Sequence, residues 1–298
     1  MDLTKLYAEY TALQQDSELF GENNLAAREK AIDYISFMDQ VVALHRNDAT
    51  LAALHQKGLA LKAQLETLNA QLFTRLRTKI QRGEATPVTL RQEFNHFTSY
   101  QPSTHNQAHI GYDGLDVLVS GLFESEPPPR ASQTLAPDMV HYEPTPARAI
   151  LDLVDHVAFP PDTVFYDLGS GLGQIALLVH LLTGAKAKGV EFEPLFCIYA
   201  QQCAQQLGLK NVEFINADAR VVDYGDGDVF YLFTPFKGAL LQTVLDRLQQ
   251  AAQQRAITVC TYGPCTPQVA KQSWLRSLDT NADHEFKLAV FASKVSEG

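Results

Sequence analysis

Residues 164–173 read Val164-Phe-Tyr-Asp-Leu-Gly-Ser-Gly-Leu-Gly173, and no other stretch limits the possible folds as tightly. Three apolar residues lead into Asp167, glycines alternate at 169, 171 and 173, and an apolar helical pattern begins at Gln174. Such a segment leaves a buried strand, turns on glycine where backbone can approach a ligand closely, and re-enters a helix. The spacing excludes two familiar loops. A dinucleotide fingerprint requires glycine at the sixth position counted from Gly169, where Gln174 stands. A phosphate loop ending in Gly-Lys-Ser/Thr is absent as well.

The surroundings agree with a buried strand. Helical patterns at 146–157, 173–183, 194–207 and 237–252 alternate with apolar runs at 163–167, 187–191, 212–216, 228–233 and 256–262. Strands separated by helices of this length predict a parallel sheet covered on both faces. The segments 274–278 and 286–292 read as a closing hairpin. In a doubly wound sheet, ligands bind at the carboxyl ends of the strands, beside the reversal of strand order.

The first hundred residues are different. Leu54, Leu61, Leu65, Leu68, Leu72 and Leu76 recur at mostly three- and four-residue steps, predicting a helix from about Asp48, a good N-cap, to Gly83. Ala27, Ile32, Ile35, Met38, Val41, Val42 and Leu44 predict a partner helix over 24–45, joined by residues 2–20. The two stripes would bury each other, or one would serve a dimerising coiled coil. From Thr86 to Ala136, Pro87, Pro102 and Pro127-Pro128-Pro129 mark turns and a connector. A short apolar helix sits inside it at 110–123, suited to a lid or a brace. The expected organisation is a helical domain over 1–100, a linker or lid over 101–137, and a ligand-binding domain over 138–298.

Composition narrows the function. A net charge of −10 argues against general nucleic-acid binding, which needs a basic face. Residues 51–100 are the exception, with seven Lys/Arg against three Glu, clustered at Arg75, Arg77, Lys79 and Arg82. That cluster is read as a solvated helix face or a surface for an acidic partner. No apolar run reaches the roughly 18–20 residues of a membrane span, and no secretory leader is expected. Cys197, Cys203, Cys260 and Cys265 fit neither a disulfide framework nor a zinc clasp, so reduced core thiols and a cytoplasmic protein are expected.

The Asp-x-Gly-x-Gly-x-Gly pattern resembles the first motif of class I S-adenosylmethionine (SAM) methyltransferases. Three further segments sharpen the resemblance: Tyr142-Glu-Pro-Thr-Pro146, Gly189-Val-Glu191 and Asp228-Val-Phe-Tyr-Leu-Phe-Thr-Pro-Phe236. Together, over about residues 139–265, they resemble the seven-strand, non-SET protein-lysine methyltransferases. That group includes enzymes of the ATP-synthase c-ring and, more distantly, of nucleosomes. The resemblance implies an α/β fold: a doubly wound, mostly parallel seven-stranded sheet (Rossmann-like), here with an N-terminal α-helical domain. It implies SAM as methyl donor, S-adenosylhomocysteine (SAH) as product, and no metal.

Site roles follow from the same resemblance. Asp167 holds the amino-acid end of the ligand, directly or through the turn. Gly169, Ser170 and Gly171 present backbone to it, and Gly173 lets the helix start against the strand. Glu191 meets the ribose, Phe192 lies against the adenine, and Glu193 points away to cap the next helix. Asp218 accepts from the adenine amino group while the Ala219 amide meets a ring nitrogen. Thr145 is both a good N-cap for the helix near Pro146 and part of the cofactor motif.

The acceptor side carries less information. Enzymes that methylate base or amide nitrogens place Asn or Asp before Pro-Pro and an aromatic; here Phe233 stands in that position, followed by Thr234, Pro235 and Phe236. Pro235 and Phe236 would wall an acceptor pocket, with the Thr234 carbonyl or hydroxyl aiming the nucleophile. Tyr142, Tyr166, Tyr231 and Phe236 are candidates for an aromatic channel, and His141 for a base. A protein lysine is the leading acceptor. The alternatives are a small-molecule N- or O-methyltransferase and a non-catalytic SAM-binding or scaffold protein.

Overall fold

The computed structural model describes residues 3–45, 47–98, 111–124, 126–278 and 284–294. The chain begins with α1 (Leu3–Gln15), a 3₁₀ turn (Ser17–Phe20), α2 (Leu25–Leu44) and the long α3 (Ala49–Gln81). Asp48 caps α3 by accepting from the Leu51 amide at 2.9 Å, and Gly83 leaves it with φ of 68°. Leu51, Leu61 and Leu65 of α3 are buried with Ile32, Ile35, Met38 and Val41 of α2 and Leu6 and Tyr10 of α1. The leucine stripe is therefore satisfied within one chain.

Two members of the expected α2 face fall outside it. Ala27 is exposed and Leu44 is 79% exposed, whereas Arg28 is 2% exposed. The buried row steps through 25, 28, 31, 32, 35, 38 and 41, so the position one turn below Ile32 belongs to an arginine. Its guanidinium survives burial because it donates to Asn69 Oδ1 and to the carbonyls of Leu19 and Gly21.

Pro87 opens a helix instead of marking a turn. It begins α4 (Pro87–Thr98), where a missing N–H costs nothing, and Thr86 and Thr89 cap each other reciprocally. Pro102, the expected start of the linker near 101 and Ile110 lie outside the described residues. The short apolar helix is α5 (Gly114–Phe123). Three of the four clustered basic residues are consumed internally. Arg77 donates to the carbonyls of Gly121, Leu122 and Glu124 at the end of α5, Arg75 faces Glu22 at 3.4 Å, and Lys79 pairs with Glu93.

Then α6 (Ala147–His156), β1 (Val164–Leu168), α7 (Gln174–Thr183), β2 (Lys186–Glu191), α8 (Pro194–Gln206), β3 (Val212–Asn216) and β4 (Val229–Leu232) follow. After them come α9 (Gly238–Ala252), β5 (Thr258–Thr261), α10 (Thr266–Ala270), β6 (Leu275–Ser277) and β7 (Ala289–Ser293). The seven strands lie in the order β3-β2-β1-β4-β5-β7-β6. The first five run parallel, and β7 and β6 close the sheet antiparallel. Strand order reverses between β1 and β4, which opens the crevice at their carboxyl ends.

Alternate strand residues feed two cores. Phe165, Tyr231 and Cys260 face α7 together with α4, α5 and the far end of α3, while Tyr166, Phe230 and Leu232 face α9. All four cysteines are buried and unpaired by disulfides.

Candidate active site

The glycine turn after β1 is held by the neighbouring strand. The amides of Gly169 and Ser170 both donate to the Val190 carbonyl, at 2.8 and 3.0 Å, and the Gly171 amide donates to Glu191 Oε2 at 2.7 Å. Gly169 has φ of 80° and Gly171 of 52°, in the left-handed region that glycine occupies without penalty. Both are also tightly overlain. A Cβ on Gly169 would stand 2.2 Å from Pro235 Cβ, and one on Gly171 2.3 Å from the Tyr142 ring. Gly173 starts α7 as its N-cap, against Phe214 and Ala200.

Beneath this turn lies Asp167. Its side chain is 1% exposed, and neither carboxylate oxygen has a hydrogen-bond partner; the buried Ser170 hydroxyl lacks one too. Burial pushes the Asp167 carboxyl well above its ordinary range, and the nearby Glu191 charge adds to this. Asp167 does not line the cleft itself, so any influence on a ligand there passes through the turn.

Glu191 does line the cleft. Burial raises its carboxyl, while amides from Glu193, to Oε1 at 2.8 Å, and from Gly171 oppose the rise. These two bonds leave oxygen lone pairs for a further donor.

Glu193 accepts from the Leu195 amide to cap α8, the capping role its place before Pro194 predicts, and it lines the same cleft as Glu191. It also has a task no local pattern shows: it takes the Ser132 amide and hydroxyl and the Gln133 amide, each at 2.7 Å. Burial would raise this carboxyl, but these donors outweigh it and hold it below the ordinary range. Glu193 thus ties the 130–146 strap to the end of β2.

Past β3, Asn216 braces the carbonyls of Glu191 and Phe192 through its side-chain amide. Phe192, Asp218 and Ala219 line this end of the cleft. The Asp218 carboxylate is engaged by the Arg220 guanidinium, at 2.6 Å, and by the Arg220 amide, which lowers its pKa. A ligand amino group there would have to share that acceptor.

The opposite wall is the loop after β4. Thr234, β-branched and at φ of 44°, is held in the left-handed region by its hydroxyl, which donates to the Tyr262 carbonyl at 3.2 Å and accepts from the Cys265 amide at 3.3 Å. That hydroxyl is therefore committed to the β5 loop, leaving the Thr234 carbonyl as the group able to aim a nucleophile. Pro235 accepts the Val140 amide at 3.1 Å and Phe236 bridges Met139, which fixes the other end of the strap.

Tyr142 packs 5.4 Å from Phe196 and joins Phe233, Phe236 and Tyr262 around the cleft. Two channel candidates are absent from this wall. Tyr166 stacks on Phe230 of the neighbouring strand and donates to Asp226, and Tyr231, on β4 between β1 and β5, is fully buried. Strand alternation turned both into the core. His141 is exposed on the rim.

Thr145 lines the cleft and is 5% exposed, but it does not cap α6: the N-cap position is Pro146. The cleft measures about 1180 Å³, above the range of about 300–1,000 Å³ usual for small-ligand sites.

Residues 138–224, spanning the strap through the turn after β3, match the family model described as histone methylation protein DOT1. That match, with the glycine turn and the sheet order, makes the chain similar to the class I SAM-dependent methyltransferases. The resemblance to the non-SET lysine enzymes lies in the segments that carry the cofactor motifs. It is similar to an RNA methyltransferase from Salinibacter ruber solved with SAH, at 23% identity over 52% of this chain and 95% of that one, with a TM-score of 0.38. A SAM-dependent methyltransferase from Aquifex aeolicus is similar at 17% identity over 48% and 88%, TM-score 0.40. One from Geobacter sulfurreducens, also with SAH, is similar at 26% identity over 43% and 54%, TM-score 0.32. No curated protein matches the chain in sequence.

The residues fit a cationic amino-acid nucleoside. The partnerless Asp167 carboxylate lies buried behind the glycine turn, the unsatisfied Ser170 hydroxyl belongs to that turn, and Gly169, Ser170, Glu191 and Asp218 line the cleft. Among the described residues no group of three or more His, Cys, Asp or Glu could hold a metal, and no helix is long and apolar enough to cross a membrane.

Proposed function

We propose that this chain is a methyltransferase that modifies a protein lysine side chain. The observation that carries the reading is the character of the cleft beyond the glycine turn. Its walls are Tyr142, Phe233, Pro235, Phe236 and Tyr262, and Glu143 is the lining carboxylate left over once Glu191 and Asp218 serve the cofactor and Glu193 the strap. Acidic, aromatic walls favour a cationic side chain and disfavour a phosphate backbone. Phe233, stacked 5.4 Å from Tyr262, fills the position where base- and amide-modifying enzymes keep a hydrogen-bonding residue.

Asp167, acting through the turn, together with Ser170 and Thr145 holds the amino-acid end of SAM. Glu191 takes the ribose, and Phe192, Asp218 and Ala219 take the base. Bound SAM supplies an electrophilic methyl group, so the protein's remaining task is to present a neutral amine in line. Tyr142 and Phe236 exclude water from the approach, which lowers the pKa of an entering ammonium, and the Thr234 carbonyl orients the amine. Glu191→Ala should weaken SAM binding by about 1.5–3 kcal/mol, the scale of a lost charge-assisted bond. Unchanged affinity by calorimetry would remove Glu191 from the site.

Among the described residues none before Gly111 lines the cleft, so α1–α4 do not form a cap over a small substrate. The test uses SAM with a tritiated methyl group, incubated with the protein and an extract of its source cells. Label recovered as methyl-lysine after hydrolysis of the protein fraction is expected. Label in the small-molecule or nucleic-acid fraction would overturn the acceptor, and no label above an Asp167→Ala blank would favour the scaffold reading.

A further inference from the structure

The helix α6 lacks a cap of its own. Its N-cap residue is Pro146, which has no side-chain acceptor, yet the preceding segment must sit accurately because Tyr142 and Thr145 line the cleft. The acceptor comes from another helix. Asp116, in the first turn of α5, takes the Ala147 amide on Oδ1 at 2.7 Å and the Asp113 amide on Oδ2 at 2.6 Å. One carboxylate therefore caps two helices at once. Asp113 caps α5 through the Leu115 amide at 2.8 Å and pairs with Arg148 in the first turn of α6. The Tyr112 hydroxyl completes the joint by donating to the Pro144 carbonyl at 2.6 Å.

We propose that Asp116 is a positioning residue of the cofactor cleft: from α5 it fixes the start of α6, and with it the Tyr142–Thr145 strap. Three consequences agree. With Ala147 bonded to Asp116, the Thr145 side chain is spared the capping task its sequence context suggests and is left for the cleft. Burial pushes the Asp116 carboxyl up while its two amide donors oppose the rise, as a load on an internal joint should. The joint is also seated on the N-terminal helices, because a Cβ on Gly114 would stand 2.8 Å from Ala26 Cβ of α2. The helical region then acts on the reaction from behind, as the anchor of the strap.

The inference rests on the SAM reading, and titration with SAH as the probe separates the two. Asp116→Ala should raise the Kd for SAH about tenfold, the scale of a lost helix cap, with one site per folded protein retained. Val119→Ala, in the buried face of the same helix, should lower Tm and leave the Kd unchanged. If Asp116→Ala does not fold, Asp116→Asn decides. Asn keeps the acceptor for Ala147 but offers an amide in place of the acceptor for Asp113, so a rise of about two- to threefold is expected. A wild-type Kd in the folded Asp116 variant, or an equal rise in Val119→Ala, would overturn the inference. Wild-type protein that fails to bind SAH would instead overturn the cofactor reading beneath it.

Discussion

Asp167→Asn should make the ligand-free protein harder to melt while destroying its affinity for SAM. The side chain is 1% exposed, neither oxygen has a partner, and burial raises its pKa. An acid whose folded pKa is raised contributes stability that is fully present below its unfolded value, about 3.9, and is lost as pH rises toward the folded value. Over that window the wild-type protein loses about 1.4 kcal/mol per pH unit that the amide does not lose.

The Tm advantage of Asp167→Asn should therefore vanish near pH 4 and grow toward neutrality, at roughly 2–4 °C per kcal/mol. Binding goes the other way. A ligand cation near the turn lowers the pKa and stabilises the carboxylate, and its removal should cost about 3 kcal/mol or more, above a hundredfold in Kd. Equal melting of the two proteins from pH 4 to 7 would show that the carboxyl has a partner in solution.

Gly169→Ala should abolish methyl transfer. Its left-handed backbone adds about 1–2 kcal/mol of strain to any side chain. The larger effect is steric, since the new Cβ would stand 2.2 Å from Pro235 Cβ, an atom fixed by its ring. Pro235 also accepts the Val140 amide, so moving it displaces the acceptor wall and the strap together. A displacement of about 1 Å in such walls can cost a hundredfold in rate.

Gly184→Ala supplies the comparison. Gly184 has φ of 78° and no atom within 4 Å of the built Cβ, so that variant carries the backbone strain alone. Both should melt at lower temperature, and only Gly169→Ala should lose transfer of labelled methyl. Equal activity in the two would contradict the wedge between the first and fourth strand loops.

What the sequence makes legible is local. Asp167 with its glycines, Glu191 at the end of β2 and Glu193 before Pro194 announce themselves because strand ends and helix caps are written in neighbouring residues. The strand and helix alternation does the same for the sheet. Features that depend on distant partners are silent.

Asp116 reaches an amide 31 residues away, so the local pattern assigns its task to Thr145 instead. Arg28 occupies a core position only because Asn69 and a loop from the 3₁₀ turn supply acceptors. The Thr234 hydroxyl is spent on Tyr262 and Cys265, a commitment set by how two loops meet. Tyr166 and Tyr231 are aromatic residues close to the site in sequence but turned into the two cores, a matter of strand phase against a sheet whose both faces are covered. Phe94 and Phe97, with Leu90, carry a helical period that the flanking Pro87 and Pro102 obscure.

Coupling between the buried Asp167 carboxyl and a cationic ligand is tested most directly by calorimetric titration of the wild-type protein with SAM. The titration should be run from pH 5 to 7, below the range of about 7.7–8.0 where an α-amino group loses its proton, in buffers of different ionisation enthalpy. One site is expected, with affinity that tightens as pH rises and a proton released on binding, because the ligand lowers the raised pKa of Asp167. Absence of binding, or binding without pH dependence or proton release, would contradict it.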